Sequence, residues 1–360
     1  MKALNRVEAA DWVRQHAAAL DAEGQSNPFA LAEWTLHFLG QVARDDWAIF
    51  APQTGSGGML LYAEPQQSTR LLALTNYYAS LWSPACDADT DSATDAAAAG
   101  LVAQLQAHRP RTATVQLAPL SAEAASTAAL ERAFKASGWY TSRYFCFGNW
   151  TLPCDGLDFD AYMQARDSRL LNTWRRKSKA FYRSADSGTR IQIVTDLCEV
   201  EMAIAAYNSI YAKSWKKPEP YPGFVSGWAR ICARNGWLRL GLAWVDGVPV
   251  AAQFWFTVNR RAYIFKLAYD EEHAKLSAGT VLSAHLFRHS LAQDRVVEID
   301  YLTGDDAYKQ GWMTQRRERM GLLACNPATA AGLYHAGRQV AVALRQRLAP
   351  RTPAAADAPA

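Results

Sequence analysis

The sequence predicts a mixed α/β protein of two successive units, each a mostly antiparallel sheet flanked by helices. Three observations predict it. The 360 residues exceed what one hydrophobic core ordinarily holds, and with half of them hydrophobic and a fifth charged there is material for two domains or a duplicated one. Short β-branched and aromatic runs alternate along the chain with stretches whose apolar residues recur at helical spacing. Between residues 237 and 269 three strand-like runs follow one another, the first two joined by Asp246-Gly247, the strongest short hairpin signal in the chain. A boundary near residue 155 divides the chain into units of 1–155 and 156–348, and the Ala- and Pro-rich residues 349–360 are expected to form a disordered tail.

Val7, Ala10, Val13 and Ala17 predict an opening amphipathic helix over 7–21. Asn27-Pro28-Phe29 marks the start of a second, which runs through Trp34, Phe38 and Leu39. Strands at 47–51 and 58–63 flank the turn Thr54-Gly55-Ser56-Gly57. That loop leads into a strand and lacks a following Lys-Ser/Thr, so it reads as a turn and not as a phosphate cradle. A strand at 70–75 leads to Asn76-Tyr77-Tyr78, whose tyrosines are either packed aromatics or the wall of an acceptor pocket. A helix over 94–107, a strand over 112–117, a helix over 121–137 and an aromatic-rich strand over 141–150 complete this half.

Residues 159–181 read as one helix with Leu171, Trp174, Ser178 and Phe181 along one side. The opposite side collects Arg169, Arg175, Arg176, Lys177, Lys179 and Arg183, which is either a solvated face or the electrostatic footprint of a phosphate or nucleic-acid ligand. A strand at 191–195, a helix at 198–214, a loop stiffened by Pro218, Pro220 and Pro222, and a short helix at 223–234 precede the three strand-like runs. After them Leu276-Ser277-Ala278-Gly279-Thr280 leads into a helix carrying Leu282, Leu286 and His289. A glycine loop in that place leaves backbone N–H groups free at the helix start, where a pyrophosphate can bind. A last helix is expected over 328–348.

Between those helices lies the densest cluster of chemistry, Val296 to Trp312. A strand over 296–301 buries Val297, Ile299 and Tyr301 on one face and turns Glu298 and Asp300 to the other. Thr303-Gly304-Asp305-Asp306 forms a turn, and Ala307 to Trp312 a helical turn presenting Tyr308 and Lys309. Strand end, tight turn and helix start are expected to gather Asp300, Asp305, Tyr308 and Lys309 in one small volume, as α/β enzymes do at the carboxyl edge of a sheet. Asp305 is equally suited to capping the helix that follows it. Lys266, among apolar neighbours, is either a strand-edge solubility residue or points inward.

Composition narrows the function classes. A net charge of +4 and a pI near 8.7 are too mildly basic to argue for nucleic acid, and no DNA partner is expected. The cysteines at 86, 146, 154, 198, 232 and 325 form no C-x-x-C pair, which suits buried thiols in a reducing compartment. His285 and His289 lie one helical turn apart without a carboxylate or Cys at ligand spacing, so no metal is expected. The N-terminus has no signal-peptide pattern and no window approaches a membrane span, so the expectation is a cytoplasmic protein.

Several stretches together carry a resemblance: Asn27-Pro28-Phe29 with Trp34, Asp246-Gly247-x-Pro249-x-Ala251-Ala252, Lys266-x-Ala268-Tyr269-Asp270, Leu276-Ser277-x-Gly279, and Asp300-Tyr301-x-Thr303-Gly304-Asp305-x-x-Tyr308-Lys309-x-x-Trp312. Over about residues 27 to 320 the chain resembles the CelD-like branch of the GNAT acyltransferase superfamily, a branch related to the FemAB-type peptidoglycan aminoacyltransferases. The resemblance implies two GNAT-like halves in tandem and transfer of an acyl group, acetyl first, from acyl-CoA to an amine of a sugar or polysaccharide precursor. It implies a thioester beside Lys266, Ala268 and Tyr269, phosphates around Ser277, Gly279 and Thr280, and Asp300 or Asp305 as base. Tyr308 would then protonate the leaving thiolate, and Lys309 would bind an acidic group of donor or acceptor. The loop Lys275-Leu276-Ser277-Ala278-Gly279-Thr280 departs from the usual GNAT phosphate loop, which carries an Arg or Gln and further small residues. The alternatives are an aminoacyl-tRNA donor, as in FemAB-type relatives, for which the basic helix at 169–183 is suited, and a non-catalytic accessory of a polysaccharide machinery.

Overall fold

In the computed structural model, which describes residues 1–55, 57–86, 90–183 and 188–348, the first half contributes α1 (Arg6–Gln15), α2 (Ala17–Gly24), α3 (Ala32–Gln41), β1 (Ala48–Phe50), β2 (Gln53–Thr54), β3 (Gly57–Gly58), β4 (Leu61–Ala63), β5 (Arg70–Ala73), β6 (Ala85–Cys86), α4 (Asp91–Ala107), β7 (Thr114–Ser121), α5 (Ala125–Ala136) and β8 (Tyr140–Pro153). The second half contributes α6 (Phe159–Gln164), α7 (Ser168–Tyr182), β9 (Arg190–Val194), α8 (Val200–Ala212), α9 (Pro222–Arg234), β10 (Leu238–Val245), β11 (Val248–Val258), β12 (Arg261–Tyr269), α10 (Ala278–Ala292), β13 (Glu298–Asp300), α11 (Ala307–Trp312), β14 (Gln315–Cys325) and α12 (Ala330–Leu348). The tail expected at 349–360 and Ser56 of the glycine-rich turn lie outside the described residues.

Two helices read as continuous are each two. The opening one breaks at His16, whose backbone leaves the helical region at φ −108°, ψ 16° and whose ring Nδ1 lies 2.8 Å from Trp12 O. The run at 159–181 is divided because it contains two aspartate caps: Asp158 accepts from Asp160 N and Ala161 N, and Asp167 accepts from Leu170 N. The Asp246-Gly247 hairpin forms as read, with φ of 52° and 78° at the two turn residues.

One sheet of eleven strands runs through both halves in the order β1-β4-β5-β7-β14-β8-β13-β12-β11-β10-β9, and a smaller sheet joins β2, β3 and β6. Most neighbours are antiparallel; β5 with β7 and β12 with β13 are parallel. The sequence reading did not foresee β14. Its first half, Gln315-Arg316-Arg317-Glu318, lacks apolar alternation, and its buried residues come only from Arg319 onward. Yet β14 lies between β7 and β8, antiparallel to both, so the end of the chain is built into the sheet of the first half.

Three apolar cores lie against this sheet. Leu101, Leu105, Leu130 and Phe134 of α4 and α5 pack on Val115, Leu117 and Leu322. On the second half, Leu282, Leu286 and Phe287 of α10 pack with Trp255, Ile264 and Ile299 on one face. Its other face is covered by α8 and α9 and also by α1 and α3, in a core containing Trp34, Phe224, Trp228 and Phe254. Trp34 meets Phe224 and Trp228 edge-on at 5.3 and 4.9 Å, so the helices that open the chain are anchored on the second half. Cys154, Cys232 and Cys325 are buried as expected, whereas Cys198 is exposed. No described helix is long and apolar enough to cross a membrane.

Candidate active site

The parallel pair β12·β13 extends over only three positions: Arg261 with Glu298, Ala262 with Ile299, and Tyr263 with Asp300. Beyond Asp300 the chain leaves the pair. Tyr301 N donates to Trp150 O on β8 at 2.9 Å, Leu302 takes φ 55°, and Gly304 takes φ 107°, a region open to glycine. Strand β12 continues to Tyr269 with no strand partner on that edge among the described residues, so its backbone N–H groups there are available. A register shift in the β11·β12 pairing, where Phe254 faces Lys266 and Trp255 faces Ile264, makes Phe265 a bulge. The bulge brings two consecutive residues to Tyr78: the Phe265 ring at 6.2 Å and Lys266 Nζ at 4.7 Å from its centroid.

The opening is a cavity of about 310 Å³ lined by Ile264 to Leu267, Tyr301 to Thr303, Tyr308, Lys309, Tyr77, Tyr78 and Lys216. Its wall is organised by Glu219, which none of the sequence motifs marked. This carboxylate accepts from Lys266 Nζ at 2.6 Å, Tyr78 OH at 2.7 Å, Tyr77 OH at 2.9 Å and Tyr211 OH at 3.0 Å. Burial pushes its proton affinity up, but the Lys266 ammonium and the tyrosine hydroxyls outweigh burial and hold it below the usual carboxylate range. Lys216 Nζ makes no hydrogen bond or ion pair among the described residues and lies 5.9 and 5.7 Å from the ring centroids of Tyr211 and Trp215. Burial first, then the charge of Lys266, lowers its pKa to about 8.

A larger cavity of about 880 Å³ adjoins, sharing Tyr308 and reaching Thr280 and the α7 residues Arg169, Leu170 and Thr173. Thr280 also lines a third cavity, of about 240 Å³, with Tyr269, Ser277, Ala278 and Gly279 at the start of α10. There Ser277 sits at φ 52°, ψ 37° and makes no side-chain cap, so the helix presents its backbone N–H groups outward. A Cβ at Gly279 would meet nothing within 4 Å, and Gly279 O accepts from Gln253 Nε2 at 2.9 Å. Arg169 of α7 lines the larger cavity, Arg175, Arg176 and Lys179 of the same helix are exposed, and Lys177 Nζ donates to Lys275 O at 2.6 Å.

The sequence-selected residues therefore fall into three groups. Lys266, Tyr308 and Lys309 meet in the opening, with Ala268 buried one step further along β12. Tyr269, Ser277, Gly279 and Thr280 meet at the start of α10. Asp300 and Asp305 join neither group. Asp300 is buried on the opposite face, accepting from Asn149 Nδ2 and Leu302 N, both at 2.6 Å. Asp305 accepts from Trp150 Nε1 at 2.8 Å and from Arg316, which holds its carboxyl below the usual range. It does not cap α11, whose N-cap is Asp306. Lys309 is buried, donating to Thr303 O at 2.5 Å and Gly304 O at 3.3 Å and pairing with Asp306 at 3.3 Å, so it holds the turn closed while facing the cavity. Half-exposed Tyr308 stands edge-on to Tyr301 at 5.7 Å, and burial of its hydroxyl raises its pKa to about 12. Tyr77 and Tyr78, for which the sequence left two readings, are both packed aromatics and cavity wall.

Residues 168–310, from the start of α7 into α11, match the family model of the acetyltransferase (GNAT) domain. The chain thus carries an acyltransferase domain of the GNAT type, and the open parallel pair and the start of α10 lie within it, whereas Tyr77 and Tyr78 of the cavity wall lie outside the matched residues. No curated protein matches the sequence. Among solved structures, FemX is similar with a TM-score of 0.59 at 11% identity, over 87% of this chain and 95% of that one. The C-terminal domain of a protein assigned as a lysylphosphatidylglycerol synthetase from Agrobacterium fabrum is similar with a TM-score of 0.51 at 13% identity, over 85% of this chain and 91% of that one. A conserved protein of unknown function from Bacteroides thetaiotaomicron has a TM-score of 0.54 at 9% identity, over 82% of this chain and 90% of that one. At these identities the likeness is one of fold, and it extends through most of the chain.

Proposed function

We propose that the protein is an N-acyltransferase that moves an acyl group, acetyl first, from acyl-CoA to an amine of a sugar or cell-envelope precursor. The observation that carries this reading is a row of three cavities with shared walls, from the uncapped start of α10 by way of Thr280 and Tyr308 to the opening between β12 and β13. The donor pyrophosphate is held by the backbone at Ser277 to Thr280, where helix dipole and free N–H groups favour an anion. Its thioester lies along β12, whose unpaired N–H groups stabilise the oxyanion as the amine attacks. The amine proton passes to Lys216, largely neutral above about pH 8. The leaving thiolate takes its proton from Tyr308, which its raised proton affinity keeps protonated. Lys309 holds the turn, and Asp300 fixes Leu302 from behind.

A second reading has one specific observation behind it. Arg169 of α7 and Arg166 just before it line the large cavity, and a phosphate-rich donor such as aminoacyl-tRNA would use them together with the exposed basic residues further along α7, as the resemblance to FemAB-type enzymes allows. Melting of the full chain with acetyl-CoA, longer acyl-CoAs or bulk tRNA separates the two. A ligand of the native state at a hundredfold excess over its Kd adds about 2.7 kcal/mol. The expected result is an upward shift with an acyl-CoA; a shift with tRNA alone selects the second reading, and no shift with either overturns both.

A further inference from the structure

A cavity of about 350 Å³ remains outside this chemistry, between the end of β7, the start of α5 and the strands β12, β13 and β14. Its place is not arbitrary. In the first half β5 and β7 form the other parallel pair, also three residues long, from Arg70 with Thr114 to Leu72 with Gln116. The cavity lies at Ser121, the end of β7 beyond the last paired residue Gln116, where α5 follows, much as the candidate catalytic opening follows the end of β13.

Two independent features point to an anion. The first is Arg319 of β14, which is 4% exposed. Only its Nη2 has a partner, Asn149 Oδ1 at 2.7 Å, and its Nε is buried with none among the described residues. A buried guanidinium left this incomplete costs free energy that a carboxylate or phosphate would recover through a two-pronged contact. The second is the N-terminus of α5, a helix of twelve residues, where Ala124 provides no side-chain cap, no acidic residue lies in the first turn, and Ser126 and Thr127 line the cavity. The acidic groups facing the same space do not supply the missing anion. Glu298 is paired with Arg317, Glu23 accepts from Ser83 Oγ at 2.7 Å, Glu123 is exposed, and Asp300, whose charge acts on Arg319 from a distance, is engaged by Asn149 and Leu302 and makes neither a hydrogen bond nor an ion pair within 4.0 Å with that guanidinium.

We propose that this cavity is a second binding site, taking a small polar molecule through a carboxylate or phosphate group held between Arg319 and the N-terminus of α5. Glu23 and Glu123 on the far side are acceptors for hydroxyl or amino groups of the same molecule. Because Asp300 lines this cavity while its partner Leu302 lines the catalytic one, an occupant here touches the residue that sets the position of the catalytic turn.

The test is calorimetric titration of the full chain at constant ionic strength, with inorganic phosphate in one arm and succinate in the other. Ser126→Asp places a fixed negative charge at the start of α5, which favours the helix and repels the ligand, so this variant keeps its fold while losing the site. Arg319→Gln is the second variant. Saturable binding in one arm is expected, weakened at least about thirtyfold by Ser126→Asp, with the responding arm naming the group as phosphate or carboxylate. No saturable heat in either arm overturns the proposal. So does unchanged affinity in Ser126→Asp, which would place the anion elsewhere, at the start of α10 included.

Discussion

Glu219→Gln is the most informative single change to the candidate active site. The Glu219–Lys266 pair closes at 2.6 Å with the two side chains 14% and 15% exposed, and the same carboxylate takes three tyrosine hydroxyls. Removing one member of a buried pair costs about 3–5 kcal/mol, and the residual exposure here selects the lower end, about 3 kcal/mol. A glutamine carbonyl cannot accept from all three hydroxyls, which adds about 1 kcal/mol for the one left over. Over an unfolding entropy of about 0.76 kcal/mol/K for a chain of this length, the total of about 4 kcal/mol corresponds to a melting point lower by about 5 °C. The pair also carries a pH signature. Its folded pKa lies below the ordinary 4.5, so its stabilisation is present above about pH 4.5 and is lost as pH falls through the folded value, a loss that Glu219→Gln lacks. Urea unfolding of Glu219→Gln, Lys266→Met and the double variant should give an interaction energy of at least about 1.5 kcal/mol. Additivity within about 0.5 kcal/mol would refute the assignment of Glu219 as the organiser of the cavity.

Two further changes test other parts of the cleft. Lys216 binds its proton less tightly in the folded chain, with a pKa of about 8 against the ordinary 10.5, so the unfolded chain holds more protons between those values and stability should rise across that window. Lys216→Met should abolish both this rise and the increase in transfer rate through about pH 8, as unfolding curves and a pH–rate profile would show. Ser277→Gly relieves a left-handed backbone costing about 1–2 kcal/mol while adding about 0.5–1 kcal/mol of unfolded-state freedom. The variant should therefore melt no lower than the parent and still be stabilised by acyl-CoA; loss of that response would show that the serine side chain, and not the backbone, holds the donor.

What the sequence by itself determined is local. Asp246-Gly247 specifies a hairpin because both residues tolerate positive φ. The run from Val296 to Trp312 specifies a strand, a turn at Gly304 and a helix start, and it correctly puts Glu298 and Asp300 on one face, because side chains alternate along a strand. The loop before α10 and the charged side of α7 are legible for the same reason: each signal is complete within a few residues. Only the tertiary structure decided what those faces meet. Asp300 meets Asn149, which in turn accepts from Arg319, because β14, whose charged first half hides its strand character, inserts between β7 and β8. The wall of the candidate active cavity joins Tyr77 and Tyr78 to Glu219 across 142 and 141 residues of sequence, and to Lys266 across another 47. Such partners are chosen by sheet order and by the bulge at Phe265, through contacts far longer in sequence than any periodicity can encode.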